Sequence, residues 1–294
     1  MNEIVINLHV TERCNYNCAF CFGKWDLGSQ SDELFSDVDK ARAVIQAIFT
    51  AVVASHLGGT GTEVRFNFVG GEPGLLKPLP ELVDYCRQLG SRVSFVTNGL
   101  VLKRFEAAWI SEHIDIIGIS IDSASSATNL RIGRVARDRR TPDLEFLSSY
   151  VYRLRKFGNT EVKVNTVVCS ENHEENLSPV IRALDPVKWK VFQVLPVYGD
   201  FGVITLDQFR AFLIRHSEFS DIIVSEDNDE MTGSYVMVDP LGRFFWRDQE
   251  CAAGYRYSDP ILEVGAKAAF RQSVIFWEKY GKRYAREQEH SVGP

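Results

Sequence analysis

Apolar and polar positions along this chain repeat with two alternating periods, which predict strands and helices in turn. Short apolar or two-residue-period runs predict strands, whereas longer runs with apolar positions three and four apart predict helices. The predicted strands are 3–10, 64–68, 92–96, 115–121, 161–168 and 188–195. The predicted helices are 36–55, with Ser36 as its cap, and 79–89, 102–111, 144–157 and 174–184.

Six strand–helix units predict an α/β fold with a parallel sheet and crossover helices. Six units are too few for a closed eight-stranded barrel, so we expect an open, partial (βα)6 TIM-like barrel. Beyond Tyr198 the rhythm changes to a short helix with a Thr205–Gln208 capping box, followed by short strands. We expect a barrel core over residues 1–198 and a C-terminal α+β extension over 199–294 covering the active site, in one compact domain.

Three cysteines, Cys14, Cys18 and Cys21, follow the first predicted strand at short, uneven spacings. A structural zinc site normally needs a fourth ligand, whereas three thiolates suit a [4Fe–4S] cluster with one open iron. Zinc held with His9 or an outside ligand, and ordinary buried thiols, are the alternatives. The isolated cysteines, expected to be core or surface thiols, are Cys86, Cys169 and Cys251.

Polar residues recur two apart on five predicted strands, so the members of each pair share one face. The pairs are Asn7 and His9, Arg65 and Asn67, Ser120 and Asp122, Lys163 and Asn165, and Lys188 and Lys190. Because lysine is seldom buried alone, inward-facing pairs predict an anionic ligand, and a polyphosphate fits several converging cations. The alternatives are that Lys188 and Lys190 face solvent on an edge strand and that Asn7 or His9 is an ordinary core residue.

The cysteine spacing resembles that of the radical S-adenosylmethionine (SAM) superfamily, in which SAM chelates the open iron. Gly70, Gly71, Glu72 and Pro73 follow the second strand, where glycines permit close backbone approach. Their carbonyls and the Glu72 carboxylate are expected to receive the SAM ammonium. Candidates for the SAM carboxylate or ribose are Ser120 and Arg134, although Arg134 falls in a predicted long loop and could face solvent.

The composition is that of an ordinary globular protein, with 45% hydrophobic and 24% charged residues. The net charge of −6 provides no general attraction to nucleic acid or anionic membrane, so neither is an expected partner. No signal-peptide pattern and no membrane-length apolar run occur in the sequence. We expect a cytoplasmic monomer, a compartment that also suits free thiolates.

Longer segments are similar to the viperin family, from about Asn7 to Tyr284. They are Cys14–Phe22, Asn67–Pro73, Ile132–Arg134, Asp185–Gln193, Ser234–Tyr235, Pro260–Gly265 and Lys279–Tyr284. The resemblance implies dehydration of CTP, UTP or GTP to the 3′-deoxy-3′,4′-didehydro nucleotide, an antiviral or anti-phage chain terminator. It also implies a [4Fe–4S] cluster, SAM and an external electron donor of the flavodoxin or ferredoxin type.

The resemblance assigns roles to individual positions. Cluster ligands are Cys14, Cys18 and Cys21, and SAM contacts are Gly70, Gly71, Glu72, Pro73, Ser120 and Arg134. Nucleotide contacts are Asn7, Arg65, Lys163, Asn165, Lys188 and Lys190, and Tyr235 is a hydrogen donor late in the reaction. Two positions depart from the vertebrate pattern: Arg65 replaces a lysine, and Arg256 is expected to substitute for a lysine-rich phosphate-contacting segment. The vertebrate amphipathic membrane helix has no counterpart in the sequence.

Three other functions compete with nucleotide dehydration. The first is radical SAM chemistry on a different phosphorylated substrate, and the second is peptide modification. Many peptide-modifying members carry extra C-terminal cysteine clusters, whereas beyond residue 198 this chain has only Cys251. The third is a zinc-bound nucleotide-binding module without enzymatic activity, which would be colourless where an iron–sulfur protein is brown.

Overall fold

One sheet, parallel over most of its width, organises the part of the chain that the structure describes. This computed structural model describes residues 3–23, 33–54, 63–197, 199–248 and 254–289. The strands are β1 (Glu3–His9), β2 (Glu63–Val69), β3 (Arg92–Thr97), β4 (Ile116–Ser120), β5 (Glu161–Val168), β6 (Lys188–Gln193), β7 (Ile223–Glu226), β8 (Val236–Val238), β9 (Phe244–Arg247) and β10 (Tyr255–Tyr257). Their order is β10-β9-β8-β1-β2-β3-β4-β5-β6-β7, with antiparallel pairing only at β8–β9 and β9–β10.

Helices follow most of the strands, as parallel crossovers require. They are α1 (Val38–Ala54), α2 (Leu79–Gln88), α3 (Ala107–His113), α4 (Ser126–Ile132), α5 (Leu144–Arg155), α6 (Ser178–Leu184), α7 (Leu206–Arg215), α8 (Asn228–Met231), α9 (Ile261–Val264), α10 (Ala266–Arg271) and α11 (Trp277–Glu289). Short 3₁₀ segments are Leu34–Ser36, Pro73–Leu75, Leu100–Arg104 and Ser217–Phe219. Apolar side chains of strands and helices form a large core that includes Phe66, Tyr150 and Trp189. The α/β class and the partial barrel are therefore confirmed.

Two helices begin later than predicted. The first helix starts after Asp37, whose Oδ1 accepts hydrogen bonds from the N–H groups of Asp39 and Lys40, both at 3.1 Å. Asp37 therefore takes the capping role predicted for Ser36. Helix α6 starts at Ser178 rather than at residue 174, because Pro179 is accommodated in a first turn but not in a helix interior.

The helix predicted over 102–111 is divided into the 3₁₀ segment Leu100–Arg104 and helix α3. The Tyr150 hydroxyl donates to the Phe105 carbonyl at the break, with a distance of 2.9 Å. This contact gives the interrupted backbone a hydrogen-bond partner, which local periodicity does not reveal.

A short helix, α4, occupies the region predicted as a long loop before Arg134. Ser125 caps it by accepting a hydrogen bond from the Thr128 N–H at 3.3 Å. Gly133 ends it in the left-handed region with φ 82°. Arg134 is therefore held next to a helix end and is buried, not solvent-facing.

The C-terminal part contributes strands to both sides of the six-stranded core. Strand β7 pairs in parallel with β6, and β8 pairs in parallel with β1. The outer ends approach each other, since the Tyr235 hydroxyl before β8 donates to Glu226 at the end of β7, at 2.8 Å. The division at residue 198 stays a prediction, and Tyr198 itself lies outside the described residues.

In the described ranges, no helix combines the length and the apolar content that crossing a bilayer requires.

Candidate active site

The inward faces of the parallel strands surround a cavity of about 340 Å³. Most of the residues selected from the sequence line it. They are Asn7, Cys14, Cys18, Cys21, Arg65, Gly70, Gly71, Ser120, Arg134, Lys163, Asn165, Lys190 and Tyr235. The selected residues outside its lining are Glu72, Pro73, Lys188 and Arg256. The segment that carries Cys14, Cys18 and Cys21, here called the cysteine loop, follows β1. It therefore lies at the carboxyl end of the strands, where parallel α/β barrels place their chemistry.

Two glycines after β2 allow the cysteine loop to pack closely against the sheet. The Gly71 N–H donates to the Thr11 carbonyl at 2.7 Å. A Cβ at Gly71 would lie 2.3 Å from the Arg13 carbonyl oxygen, and one at Gly70 would lie 2.6 Å from that of Thr11. Gly70 also has φ 137°, a backbone conformation that other residues rarely adopt. Both glycines therefore position the segment that carries the thiols.

The other side of the cysteine loop rests on the end of α4. The Asn17 N–H donates to the Gly133 carbonyl at 3.2 Å, and the Ala19 N–H donates to the Ile132 carbonyl at 2.8 Å. A Cβ at Gly133 would lie 2.4 Å from the Asn17 carbonyl oxygen. Backbone contacts thus fix the loop from two directions, without using the thiols.

Cys14 is exposed overall, and Cys18 and Cys21 are half-buried, but their thiols line the cavity. Burial raises the pKa of Cys14 to about 11 and the pKa of Cys18 to about 12. Cys14 and Cys18 are therefore protonated until a metal displaces their protons. Three thiols from one short loop line a single cavity, and this all-sulfur donor set fits an iron–sulfur cluster. In the described ranges, neither these thiols nor any other three His, Cys, Asp or Glu side chains form a group that could hold a single metal ion.

His9 lies beside this loop among aromatic rings. Its ring centroid is 5.8 Å from that of Phe22 and 5.1 Å from that of Phe245, both in edge-on contacts. Burial lowers the pKa of His9 to about 3, so the imidazole is neutral at physiological pH. Of the isolated cysteines, Cys86 and Cys169 are buried core thiols, and Cys251 lies outside the described residues.

Arg134 is held rigidly at the cavity wall. Its Nε pairs with the Asp122 carboxylate, and its Nη1 donates to the Ser120 carbonyl at 3.3 Å. The second Asp122 oxygen accepts from the Val167 N–H at 2.8 Å, which fixes the carboxylate. A buried guanidinium held in this way is preorganised for a carboxylate or a hydroxyl in the cavity.

Glu72 lies outside the cavity lining, and its carboxylate already has hydrogen-bond donors from the protein. It is fully buried and accepts hydrogen bonds from the Asn98 N–H at 2.7 Å and the Thr97 hydroxyl at 2.9 Å. Burial raises its pKa to about 7, even though these hydrogen bonds favour the charged form. The carboxylate thus fixes the turn after β3, and of this motif only Gly70 and Gly71 line the cavity. Pro73 is also buried and begins the 3₁₀ segment Pro73–Leu75.

Neutral polar groups form a hydrogen-bonded row across β1, β2 and β3. The Ser94 hydroxyl donates to Asn67 Oδ1, and Asn67 Nδ2 donates to Asn7 Oδ1, both at 2.7 Å. Asn7 Nδ2 donates to the Val236 carbonyl at 3.1 Å. Each amide is therefore fixed in orientation on the cavity floor.

Two of the expected cations have acidic partners that the polar-pair argument missed. Arg65 Nε lies 2.9 Å from Glu3 Oε2, and Lys190 Nζ lies 2.9 Å from Glu226 Oε1. Buried cations alone consequently do not require an anionic ligand in this protein. The cavity is still basic, because Asp122 is the one acidic residue in its described lining. Its basic residues are Arg65, Arg134, Lys163, Lys190, Arg247 and Arg283.

The edge-strand alternative for Lys188 and Lys190 is wrong. Strand β7 covers β6, and the two lysines are 0% and 8% exposed, respectively. Lys190 lines the cavity, whereas Lys188 is fully buried outside the described lining. Arg256 is exposed and pairs with Asp248, so the phosphate contact expected of it is not supported by its position.

An ionic cluster of Lys190, Glu226, Tyr235 and Arg283 connects β6, β7, the start of β8 and α11. Its acidic member, Glu226, was not predicted from the sequence. Glu226 Oε2 accepts from Arg283 Nη1 and from the Tyr235 hydroxyl, both at 2.8 Å. The Arg283 Cζ lies 3.2 Å from the centre of the Tyr235 ring. Although burial raises the pKa of Glu226, the charges of Arg283 and Lys190 outweigh it and hold the pKa below its usual value. In the sequence, the segment Lys279–Tyr284 indicates a family resemblance but no ionic contact for Arg283.

Comparisons with known proteins agree with this geometry. The family model of the radical SAM superfamily matches residues 8–183. An S-adenosylmethionine-dependent nucleotide dehydratase of Psychrobacter lutiphocae is 40% identical, over 97% of this chain and 95% of that protein. The S-adenosylmethionine-dependent nucleotide dehydratase RSAD2 of Siniperca chuatsi is 32% identical, over 96% of this chain and 78% of that protein.

A solved structure, native anSMEcpe with bound AdoMet, has a TM-score of 0.65 to this chain. The two proteins are 17% identical, and the match covers 96% of this chain and 82% of the other, so the similarity is one of fold.

The site and the fold are those of a radical SAM enzyme, whose superfamily uses a [4Fe–4S] cluster and SAM. The chain belongs to the S-adenosylmethionine-dependent nucleotide dehydratases, the viperin family.

Proposed function

We propose that this enzyme dehydrates a ribonucleoside triphosphate, CTP, UTP or GTP, to its 3′-deoxy-3′,4′-didehydro analogue. The observation that carries the proposal is a basic, amide-lined cavity directly beneath a three-cysteine loop. The names of the relatives support a nucleotide substrate. The product lacks the 3′-hydroxyl needed for RNA extension, which accounts for a role in antiviral or anti-phage defence.

The cysteine loop and the residues around it form the cofactor end of the proposed site. Cys14, Cys18 and Cys21 hold the cluster, and the Gly70–Gly71 backbone, Ser120 and Arg134 hold SAM. When bound, these groups would supply a 5′-deoxyadenosyl radical for the C4′ hydrogen of the nucleotide, with one electron from an external flavodoxin- or ferredoxin-type donor. In the final step the 3′-hydroxyl leaves as water, which takes up a second electron and a proton, or a hydrogen atom from Tyr235, and completes the alkene. The short backbone contacts of the loop keep the thiols aligned over the cavity.

The strand residues form the nucleotide end. Asn7, Arg65, Lys163, Asn165 and Lys190 line the cavity from four different strands. Convergent cations and oriented amides fix the triphosphate and the ribose, so that one C–H bond faces the adenosyl group. Positioning is the main contribution of the protein, because the wrong C–H bond would otherwise react.

Lys190→Ala should raise the KM for the nucleotide by about tenfold or more, because a charge-assisted hydrogen bond is lost. The iron–sulfur absorption should not change, since Lys190 lies on β6 and not on the cysteine loop. Steady-state kinetics and visible absorption measure the two effects. Lys282→Ala, which removes an exposed lysine paired with Glu278, is the matched control. Unchanged nucleotide binding in Lys190→Ala would remove this lysine from the site.

Tyr235→Phe should still cleave SAM but yield less dehydrated nucleotide per 5′-deoxyadenosine formed. The hydroxyl lost is the group that donates to Glu226, and the ring stays packed beneath Arg283. Mass spectrometry of both products gives the ratio. Tyr152→Phe, at an exposed position, should leave the ratio at the wild-type value. A wild-type ratio in Tyr235→Phe would exclude the hydroxyl from the final step.

The experiment that tests the proposed function is anaerobic cluster reconstitution, followed by reductant, SAM and one of CTP, UTP, GTP or ATP. Mass spectrometry should detect 5′-deoxyadenosine and a nucleotide lighter by one water with CTP, UTP or GTP. 5′-Deoxyadenosine without such a product in every tube would contradict the proposal and favour a different phosphorylated substrate.

A further inference from the structure

Arg247 and Arg256 lie on neighbouring strands but on opposite faces of the sheet. In the β9–β10 ladder, Arg247 is opposite Tyr255, and Arg256 is opposite Trp246. Directly opposed residues share a face, and successive residues alternate. Arg247 and Tyr255 line the cavity, whereas Arg256 is exposed. The register therefore directs Arg247 inward and Arg256 outward.

The two guanidinium groups also differ in their partners. Arg256 pairs with Asp248, whereas Arg247 forms no ion pair within the ranges that the structure describes. The Arg247 Nη1 atom is buried and has no hydrogen-bond partner there. Burial lowers the pKa of Arg247. A buried N–H without a partner costs free energy, and the half-buried Arg247 side chain would recover it by turning this N–H toward an anion in the cavity.

The ladder places Arg247 at the depth of other site residues. Met237 of β8 is opposite Phe245 of β9. Because these strands are antiparallel, Arg247, two residues after Phe245, is level with Tyr235, two residues before Met237. On the other side of β8, Val5 of β1 is opposite Arg65 of β2. Because Ile6 is opposite Val236, Val5 is also level with Tyr235. Two guanidinium groups, Arg247 and Arg65, therefore lie at the same depth on the cavity wall.

We propose that Arg247 binds the phosphate chain of the nucleotide, in the role that the sequence assigned to Arg256. The proposal rests on the triphosphate substrate proposed above. Guanidinium groups match phosphate oxygens with two parallel N–H donors, and Arg247 brings such a fork to the cavity with one donor unused. Arg247 is thereby a specificity-determining residue that favours triphosphates over monophosphates.

The test compares Arg247→Met with Arg256→Met in the reconstituted enzyme with SAM bound. Calorimetry measures binding of CTP, UTP and GTP and of CMP, UMP and GMP. Arg247→Met should weaken triphosphate binding by about tenfold or more and leave monophosphate binding unchanged. Arg256→Met should match the wild type. Arg247→Lys, which keeps the charge but loses the fork, should lie between the wild type and Arg247→Met.

Thermal unfolding without nucleotide separates a binding role from a structural one. Arg247→Met removes an unpartnered buried N–H, so its unfolding temperature should equal or exceed that of the wild type. Wild-type triphosphate binding, equal losses in both methionine variants, or failure of Arg247→Met to fold would overturn the inference. If the wild type itself binds none of the three triphosphates, the proposed function fails, and the Arg247 role fails with it.

Discussion

Cys18→Ala protein is expected to hold no intact [4Fe–4S] cluster and to produce no 5′-deoxyadenosine. Cys18 is one of three thiols that line the cavity from one loop. Three thiolates hold three irons of a [4Fe–4S] cluster and leave the fourth open for SAM. Backbone contacts of the loop do not involve the thiol, so the protein should still fold. Iron content, visible absorption and SAM cleavage are the measurements.

Cys86→Ala is the control for Cys18→Ala. Cys86 is buried, and it lies on α2 outside the cavity lining. It should retain the cluster and its absorption. A full iron complement in Cys18→Ala, or its loss in Cys86→Ala, would contradict the assignment of the thiols.

Glu226→Gln is expected to lower the free energy of unfolding by about 3–5 kcal/mol, the usual cost of removing one partner from a buried ion pair. Glu226 is 3% exposed and contacts both Lys190 and Arg283. A neutral amide leaves two buried positive charges without their counterion. Denaturant unfolding monitored by circular dichroism measures the difference from the wild type.

The pH dependence gives a second test of Glu226. Its folded pKa is held below the ordinary value of 4.5, so its stabilisation is present above that value and is lost as pH falls. The difference between wild type and Glu226→Gln should therefore be constant near neutral pH and shrink below about pH 4.5. Glu278→Gln, which breaks an exposed pair on α11, is the control and should unfold like the wild type. Equal stability of wild type and Glu226→Gln at neutral pH would contradict the account of this cluster.

Local sequence was sufficient for the parts of the fold and site that depend on neighbouring residues. The six core strands, the capping box of Thr205 and Gln208, and the cysteine motif each rest on short spacings. Two-residue alternation also placed Asn7, Lys163 and Lys190 on one inward face, because strand geometry fixes which side chains share a face.

Contacts between distant segments account for what the sequence did not reveal. Glu226 meets Lys190 because β7 pairs with β6, and it meets Tyr235 and Arg283 because β8 and α11 return to this side of the site. Arg247 and not Arg256 faces the cavity because a one-residue difference in strand register reverses the face. Neither relation leaves a periodic signal along the chain.

Abstraction of the C4′ hydrogen from the bound triphosphate is the central claim, and a nucleotide deuterated at C4′ tests it most directly. The reconstituted enzyme would receive SAM, reductant and the 4′-deuterated form of whichever triphosphate it dehydrates. Mass spectrometry should show one deuterium transferred into 5′-deoxyadenosine and none remaining at C4′ of the product. Unlabelled 5′-deoxyadenosine formed alongside the dehydrated nucleotide would contradict the account.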